Sequence, residues 1–326
     1  MYRHFRQALT PALLVAVFAS LLQLSPPAPA GAQDVRPTPT PRPAGLAPRV
    51  GVQVGHWRQS ELPDELARLR GGTGARAGGV TELEVNYDVA QRVAALLRAS
   101  GVTVDVLPAT VPPHYDADAF VTLHADGSPS TAARGFKLAT PWRTSRASQR
   151  LADSITAEYR ARTGLPTSDA VTVDMRGYYA FNYNRHTHAI TRTTPAVIVE
   201  MGYITNPADR AFLTRQADRV AAGVARGLLR YLQERDPLDG AALMPPEFRQ
   251  QRAINPAGVV VRSAPRDTAP IRARVDQTRR MMPVQERDGW YEVFVRGQAR
   301  RVVGWVRKDE VEPTSDPLPP QPPSTT

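Results

Sequence analysis

The chain has 326 residues, 42% of them hydrophobic, enough for about two domains with sizeable cores, which excludes wholesale disorder. Its formal net charge is +10, carried almost wholly by arginines that are scattered along the chain and not gathered in one run. A nucleic-acid footprint is clustered, so no nucleic-acid partner is expected, whereas an extended anionic polymer suits such a charge.

Arg3 and Arg6 precede the apolar stretch Ala12 to Leu22, and Ala30-Gly31-Ala32 supplies the small-residue pattern that signal peptidase reads. Residues 1–32 are therefore predicted to be a secretory signal peptide, cleaved after Ala32. The stretch falls short of the ~20 apolar residues of a spanning helix, so no stable membrane span is expected. The mature protein is expected to be secreted or held in the cell envelope. There is no cysteine, so any metal must be held by histidine and carboxylate. Residues 33–47, with proline at every second position from Pro37 to Pro43, read as a stiff linker.

Residues 48–235 alternate predicted strands and helices, which means an α/β domain with a mostly parallel sheet flanked by helices. Strands are predicted at 49–54, 102–107, 119–124 and 196–200. Helical spacing appears in Val85, Val89, Val93 and Leu97, in Leu151, Ile155 and Tyr159, and in one long stripe from Phe212 to Leu232. Residues 60–79 form an unusual insertion, with Leu66 and Leu69 suggesting a short helix before a glycine-rich turn. Pro237, Gly240, Pro245 and Pro246 mark a linker over 236–253. Beyond it, 259–262, 281–284, 290–295 and 303–306 are strand-length runs at the spacing of a small all-β barrel over 254–312, and 313–326 is a Pro-rich flexible tail.

Ligands of open parallel sheets bind beyond the carboxyl ends of strands, where His56 and His124 both fall. His114 lies in a proline-flanked loop and reads as solvated, as do His186 and His188 among polar neighbours. A hydrolytic zinc site takes three nitrogen or oxygen ligands and leaves a fourth position to water, so a carboxylate should join the two histidines. Thr81 and Glu84 form a capping box at a helix start, which leaves Glu82 free. Glu200 ends an apolar strand, where a charge is costly unless it faces a site, and it reads as a general base. Asn206 and Pro207 read as the N-cap and first residue of the next helix.

Gly55-His56, Glu82-x-x-x-Asn86, Leu123-His124-Ala125-Asp126 and Val199-Glu200-x-Gly202-Tyr203-Ile204-x-Asn206 occur in order and in register with the strands. Over about 48–235 the chain thereby resembles the zinc-dependent N-acetylmuramoyl-L-alanine amidase family. The resemblance implies Zn2+ bound by His56, Glu82 and His124, Glu200 as the catalytic carboxylate, and peptidoglycan of the cell wall as partner, cut between N-acetylmuramic acid and L-alanine. The family commonly has Asp-Pro-Gly-His-Gly-Gly around its first histidine, whereas here Gln53-Val54 precede Gly55 and Trp57 follows His56. Residues 254–312 are similar to bacterial SH3-like modules, which implies a grip on wall peptides, while Trp290 and Trp305 read as packing residues of so small a barrel.

Two alternatives stay open at this level. One is a zinc hydrolase of the same fold acting on another amide, since the loop around His56 and Trp57 is altered. The other is a non-catalytic wall-binding protein. Oligomeric state and any activator are not legible in the sequence.

Overall fold

A computed structural model describes residues 46–296 and 302–316. The predicted signal peptide, most of the Pro-rich linker and the end of the tail lie outside the described residues. In chain order come β1 (Arg49–Val54), β2 (Arg76–Ala77), β3 (Val80–Thr81), α1 (Glu82–Ala99), β4 (Thr103–Leu107), β5 (Ala119–Asp126), β6 (Lys137–Ala139), α2 (Arg146–Thr163), α3 (Val173–Arg176), β7 (Ala196–Tyr203), α4 (Pro207–Arg215) and α5 (Ala217–Glu234). They are followed by α6 (Gly240–Leu243), β8 (Gln251–Ala253), β9 (Val259–Arg262), β10 (Ile271–Val275), β11 (Arg280–Arg287), β12 (Trp290–Arg296), β13 (Val302–Arg307) and β14 (Val311–Pro313). No described helix is long and apolar enough to cross a membrane.

The first sheet has the order β4-β1-β5-β7-β6, parallel except for β6, which runs antiparallel to β7 at the edge. Successive side chains of a strand point to opposite faces, and each central strand divides its residues accordingly. Val50, Val52, Val54, Val121, Leu123, Val197 and Val199 join the core with α1, α2 and α5. Phe120, Ala196 and Ile198 point the other way, into a second core closed by loops and short 3-10 turns that carry Leu62, Leu66, Tyr179 and Phe181. Gln53, Thr122, His124 and Glu200 share that second face by the same alternation, so the sheet itself sets the side on which the polar residues gather.

Local chemistry starts α1 and α4 where the sequence places them. Thr81 Oγ1 accepts from the Glu84 N–H at 3.2 Å while Glu84 Oε2 accepts from the Thr81 N–H at 2.8 Å, closing the capping box of α1. Asn206 Oδ1 accepts from the N–H groups of Ala208 and Asp209 at the start of α4, with Pro207 as the first helical residue. The stripe from Phe212 to Leu232 is not one helix. Gln216 leaves the helical region with φ −121° and ψ 32°, and α5 begins afresh after it. Apolar spacing continues across the break, so periodicity does not register it.

The insertion folds as 3-10 helices at Gln59–Glu61 and Asp64–Leu69, the second being the short helix expected at Leu66 and Leu69, and then as the β2-β3 hairpin. His186 is a correction, being not solvated but buried against Glu65 of this insertion at 3.8 Å, while His188 Nδ1 meets Glu65 at 2.8 Å. His114 is exposed, as its loop position suggests.

The C-terminal residues form an antiparallel sheet of order β10-β9-β13-β12-β11-β8-β14. It takes in Gln251–Ala253, residues that the sequence places in a linker, because β8 pairs with both β11 and β14. Trp290 and Trp305 are buried, with the guanidinium groups of Arg307 and Arg287 each 5.0 Å from their ring centroids.

α2 and α5 approach closely because α5 presents glycine to them. A Cβ on Gly227 would lie 2.4 Å from Ile155 Cα, and one on Gly223 would lie 2.9 Å from Tyr159 Cα. Gly227→Ala therefore forces the helices apart and is expected to lower unfolding free energy by about 1–3 kcal/mol, the usual cost of overpacking. Urea unfolding checks it against Gly71→Ala, whose added methyl meets nothing within 4 Å and which should stay within about 0.5 kcal/mol of the wild type.

Candidate metal centre and active site

Three side chains from different elements converge at the carboxyl edge of the sheet. His56 follows β1, Glu82 opens α1, and His124 lies near the end of β5. His124 Nδ1 is 2.8 Å and His56 Nε2 is 3.2 Å from the same oxygen, Glu82 Oε1. One nitrogen or oxygen from each of the three lies within 4.8 Å of the others.

The surroundings orient each member. His56 Nδ1 is 2.9 Å from the Gly72 carbonyl, which only accepts, so Nδ1 carries a proton and Nε2 is the nitrogen turned toward the cluster. Glu82 Oε2 accepts from the Ala75 N–H at 2.8 Å, and Oε1 accepts from the Ala125 N–H and from Asn86 Nδ2. Asn86 also donates to the Gly55 carbonyl at 3.2 Å. The insertion thus supplies Gly72 to His56 and Ala75 to Glu82.

Close approach is bought with glycine and strain. A Cβ on Gly55 would lie 2.5 Å from the His124 ring, and one on Gly74 would lie 2.7 Å from Glu82 Oε2, at a φ of +74°. His56 and Arg58, with φ of 66° and 55°, hold non-glycine residues in the left-handed region, at a cost of order 1–3 kcal/mol each. Such strain persists only where the surroundings over-determine it, here through the Gly72 contact and the edge-on packing of the two imidazoles, 5.0 Å apart.

Electrostatics separates the two buried carboxyl groups. Burial works against ionisation of Glu82, yet the facing nitrogens of His124 and His56 outweigh it and hold the group well below the usual carboxylate range. Glu200 pairs in register with His124 on the neighbouring strand. Burial first, then the negative charges of Glu82 and Asp126, push its carboxyl well above the usual range, with Lys137 acting in the opposite direction. Glu200 Oε2 is buried and has no partner.

Two residues at the site were not singled out from the sequence. Lys137 faces Glu200 across β6 and β7, and its ammonium donates to Asp126 at 2.5 Å, to the Ala170 carbonyl at 2.9 Å and to Tyr203 at 3.0 Å. The available signal was its identity: it is one of only two lysines in a chain with 41 basic residues. Tyr178 packs edge-on to the His124 ring at 5.8 Å and donates to Gln53 Oε1 at 3.0 Å. His186 and His188 sit at Glu65 and do not enter the cluster.

The donor set fits a divalent metal ion. Two imidazoles and one ionised carboxylate on one small volume, with His124 Nε2 buried and unpartnered, form an array that either a proton or a shared cation must hold together. Nitrogen and carboxylate donors in that number suit zinc.

A profile of the N-acetylmuramoyl-L-alanine amidase family matches residues 50–230. Among curated proteins, N-acetylmuramoyl-L-alanine amidase LytC of Bacillus subtilis (strain 168) is 26% identical over 208 residues, 57% of this chain and 39% of the relative. The chain thus spans about two-fifths of that relative's length. Among solved structures, an N-acetylmuramoyl-L-alanine amidase from Clostridium difficile 630 aligns with a TM-score of 0.43 at 16% identity, covering 58% of this chain and 99% of that one. Ami1 from Mycobacterium abscessus aligns with a TM-score of 0.41 at 21% identity, covering 57% and 100%. The catalytic domain of CwlV from Bacillus (Paenibacillus) polymyxa var. colistinus gives 0.39 at 22%, covering 58% and 99%. With the family profile spanning more than half of its residues, over the sheet and helices that carry the His56, Glu82 and His124 cluster, the chain belongs to the N-acetylmuramoyl-L-alanine amidase family.

Proposed function

We propose that the protein is an exported zinc-dependent hydrolase that cleaves the amide between N-acetylmuramic acid and L-alanine in peptidoglycan. The observation that carries this is the convergence of His56, Glu82 and His124 beside a buried Glu200 on the adjacent strand. Export is supported by Arg3, Arg6, the apolar run to Leu22 and Ala30-Gly31-Ala32. The antiparallel C-terminal sheet is compatible with an SH3-like module, and its arginines with an anionic wall.

His56, Glu82 and His124 would hold the ion, which when bound supplies Lewis acidity toward the scissile carbonyl and acidifies a water. Glu200 then manages the proton. Its raised affinity for one lets the carboxylate form take a proton from the attacking water at Oε2 and release it to the departing amine nitrogen of L-alanine. One C–N bond breaks, one C–O bond forms, and the water's two hydrogens end on the new amine and the new acid. The Lys137 ammonium offsets the repulsion between Glu200 and the charges of Glu82 and Asp126, keeping the carboxylate form accessible. Tyr178, packed on the His124 ring, keeps water from that side of the imidazole.

Metal content and turnover separate these roles. Glu200→Gln should retain zinc at wild-type stoichiometry and lose turnover on peptidoglycan by about 100- to 10,000-fold, the range of a general base. His124→Ala should lose the zinc as well. Full activity in Glu200→Gln would remove the proton-transfer role, and undiminished zinc in His124→Ala would remove the ligand role.

The pH profile gives a second check. A base must be ionised to act, so turnover should fall as pH drops through the raised pKa of Glu200, giving an acid limb above the ordinary carboxylate value of 4.5. Lys137 favours the ionised form. Lys137→Met therefore raises the pKa further and moves the limb to higher pH, whereas an unmoved limb would contradict the electrostatic role of the ammonium.

A further inference from the structure

The C-terminal sheet is tied to the segment that roofs the site. Arg176, the last residue of α3, donates to Glu292 on β12 at 2.6 Å, and the two side chains are only 17% and 11% exposed. Its guanidinium lies 4.0 Å from the ring centroid of Trp142, and that ring meets Phe294, also on β12, at 4.4 Å. A pair of charges withdrawn from water recovers its desolvation only if the geometry is held, so this pair fixes α3 against β12.

Little slack separates that anchor from the site. Gly177 follows Arg176, and a Cβ there would come 3.2 Å from Trp142 Nε1. Tyr178 is next, with its hydroxyl on Gln53 and its ring against His124. Asn182 Nδ2 donates to the carbonyls of both Gly177 and Tyr178, closing the turn behind them. Arg176 and, from β11 of the C-terminal sheet, Gln285 also line a groove of about 410 Å³ together with Lys137 and Thr140.

We propose that the C-terminal sheet is a working part of the active site, in which Glu292, acting through Arg176, positions Tyr178 over His124. The sheet is then a fixed wall of the catalytic cleft and not only a tethered module that raises local substrate concentration. Arg176 and Glu292 are positioning residues, since neither touches the reacting atoms. The kinetic part of this rests on the amidase activity proposed for the same site.

Hydrogen–deuterium exchange of the full zinc-loaded chain tests the coupling without substrate, and hydrolysis of peptidoglycan fragments tests its consequence. In Glu292→Ala, protection at residues 177–181 should drop and kcat/KM should fall about tenfold, the scale of a small misplacement, with zinc content unchanged. Glu292→Gln keeps an acceptor for Arg176 and should recover most of both. If Glu292→Ala does not fold, Phe294→Ala, which leaves both charges in place, should give the same loss of protection at 177–181. Unchanged exchange in that segment overturns the proposal, as does altered exchange with an unaltered kcat/KM. A wild type that leaves the muramyl amide intact overturns the proposed activity and not the coupling, which the exchange result then decides alone.

Discussion

Glu82 Oε1 is the point on which the arrangement turns. A carboxylate buried at the start of a helix is costly unless its charge is met, and here it is met by imidazoles from the ends of two parallel strands. That requirement reaches outward through the fold. It needs α1 to begin at Glu82, which the Thr81–Glu84 box ensures, and it needs β1 and β5 adjacent, which the apolar core beneath them ensures. It also needs a glycine at 55, because no other residue admits the His124 ring. The insertion then adds the Gly72 carbonyl, which accepts from His56 Nδ1, and the Ala75 N–H, which donates to Glu82 Oε2. Without that cluster the strained backbone at His56 and Arg58 would have no evident compensation.

A second consequence is the contrast between the two buried carboxyl groups. Glu82 faces nitrogen donors and stays ionised, while Glu200, one strand away, faces other negative charges and favours its proton. Groups whose environments drive their proton affinities apart are suited to different tasks, one to hold a cation and one to move a proton. Lys137 keeps this contrast within a useful range, and it is itself held in place by Asp126, Tyr203 and the Ala170 carbonyl. Proton affinity at Glu200 is thus set by burial and by groups on α1, β5 and β6 together.

The parts of this that were legible in the sequence are those fixed by local pattern. Alternating valines marked β1, mostly apolar runs marked β5 and β7, strand ends marked His56, His124 and Glu200, and the capping chemistry of Thr81 distinguished Glu82 from Glu84. What escaped was set by tertiary contact. β6 is three residues long and carries no periodicity, so Lys137 came without an element to place it. Tyr178 sits in a turn, and its hydroxyl contact, Gln53, is far away in sequence. Polar neighbours suggested a solvated His186, but Glu65 and the insertion cover it. In the C-terminal sheet β10 was missed because Ile271–Val275 alternates arginine with small or apolar residues on an exposed edge, and β8 and β14 are too short to show a pattern.

The most direct measurement is mass spectrometry of the soluble products released from purified peptidoglycan by the zinc-loaded chain beginning at Gln33, beside its Glu200→Gln variant. Free stem peptides with an L-alanine amino terminus, and none with the variant, are the expected result. Fragments cut at another amide would assign the same centre a different substrate, and no released product at all would contradict a catalytic role for the cluster around Glu82.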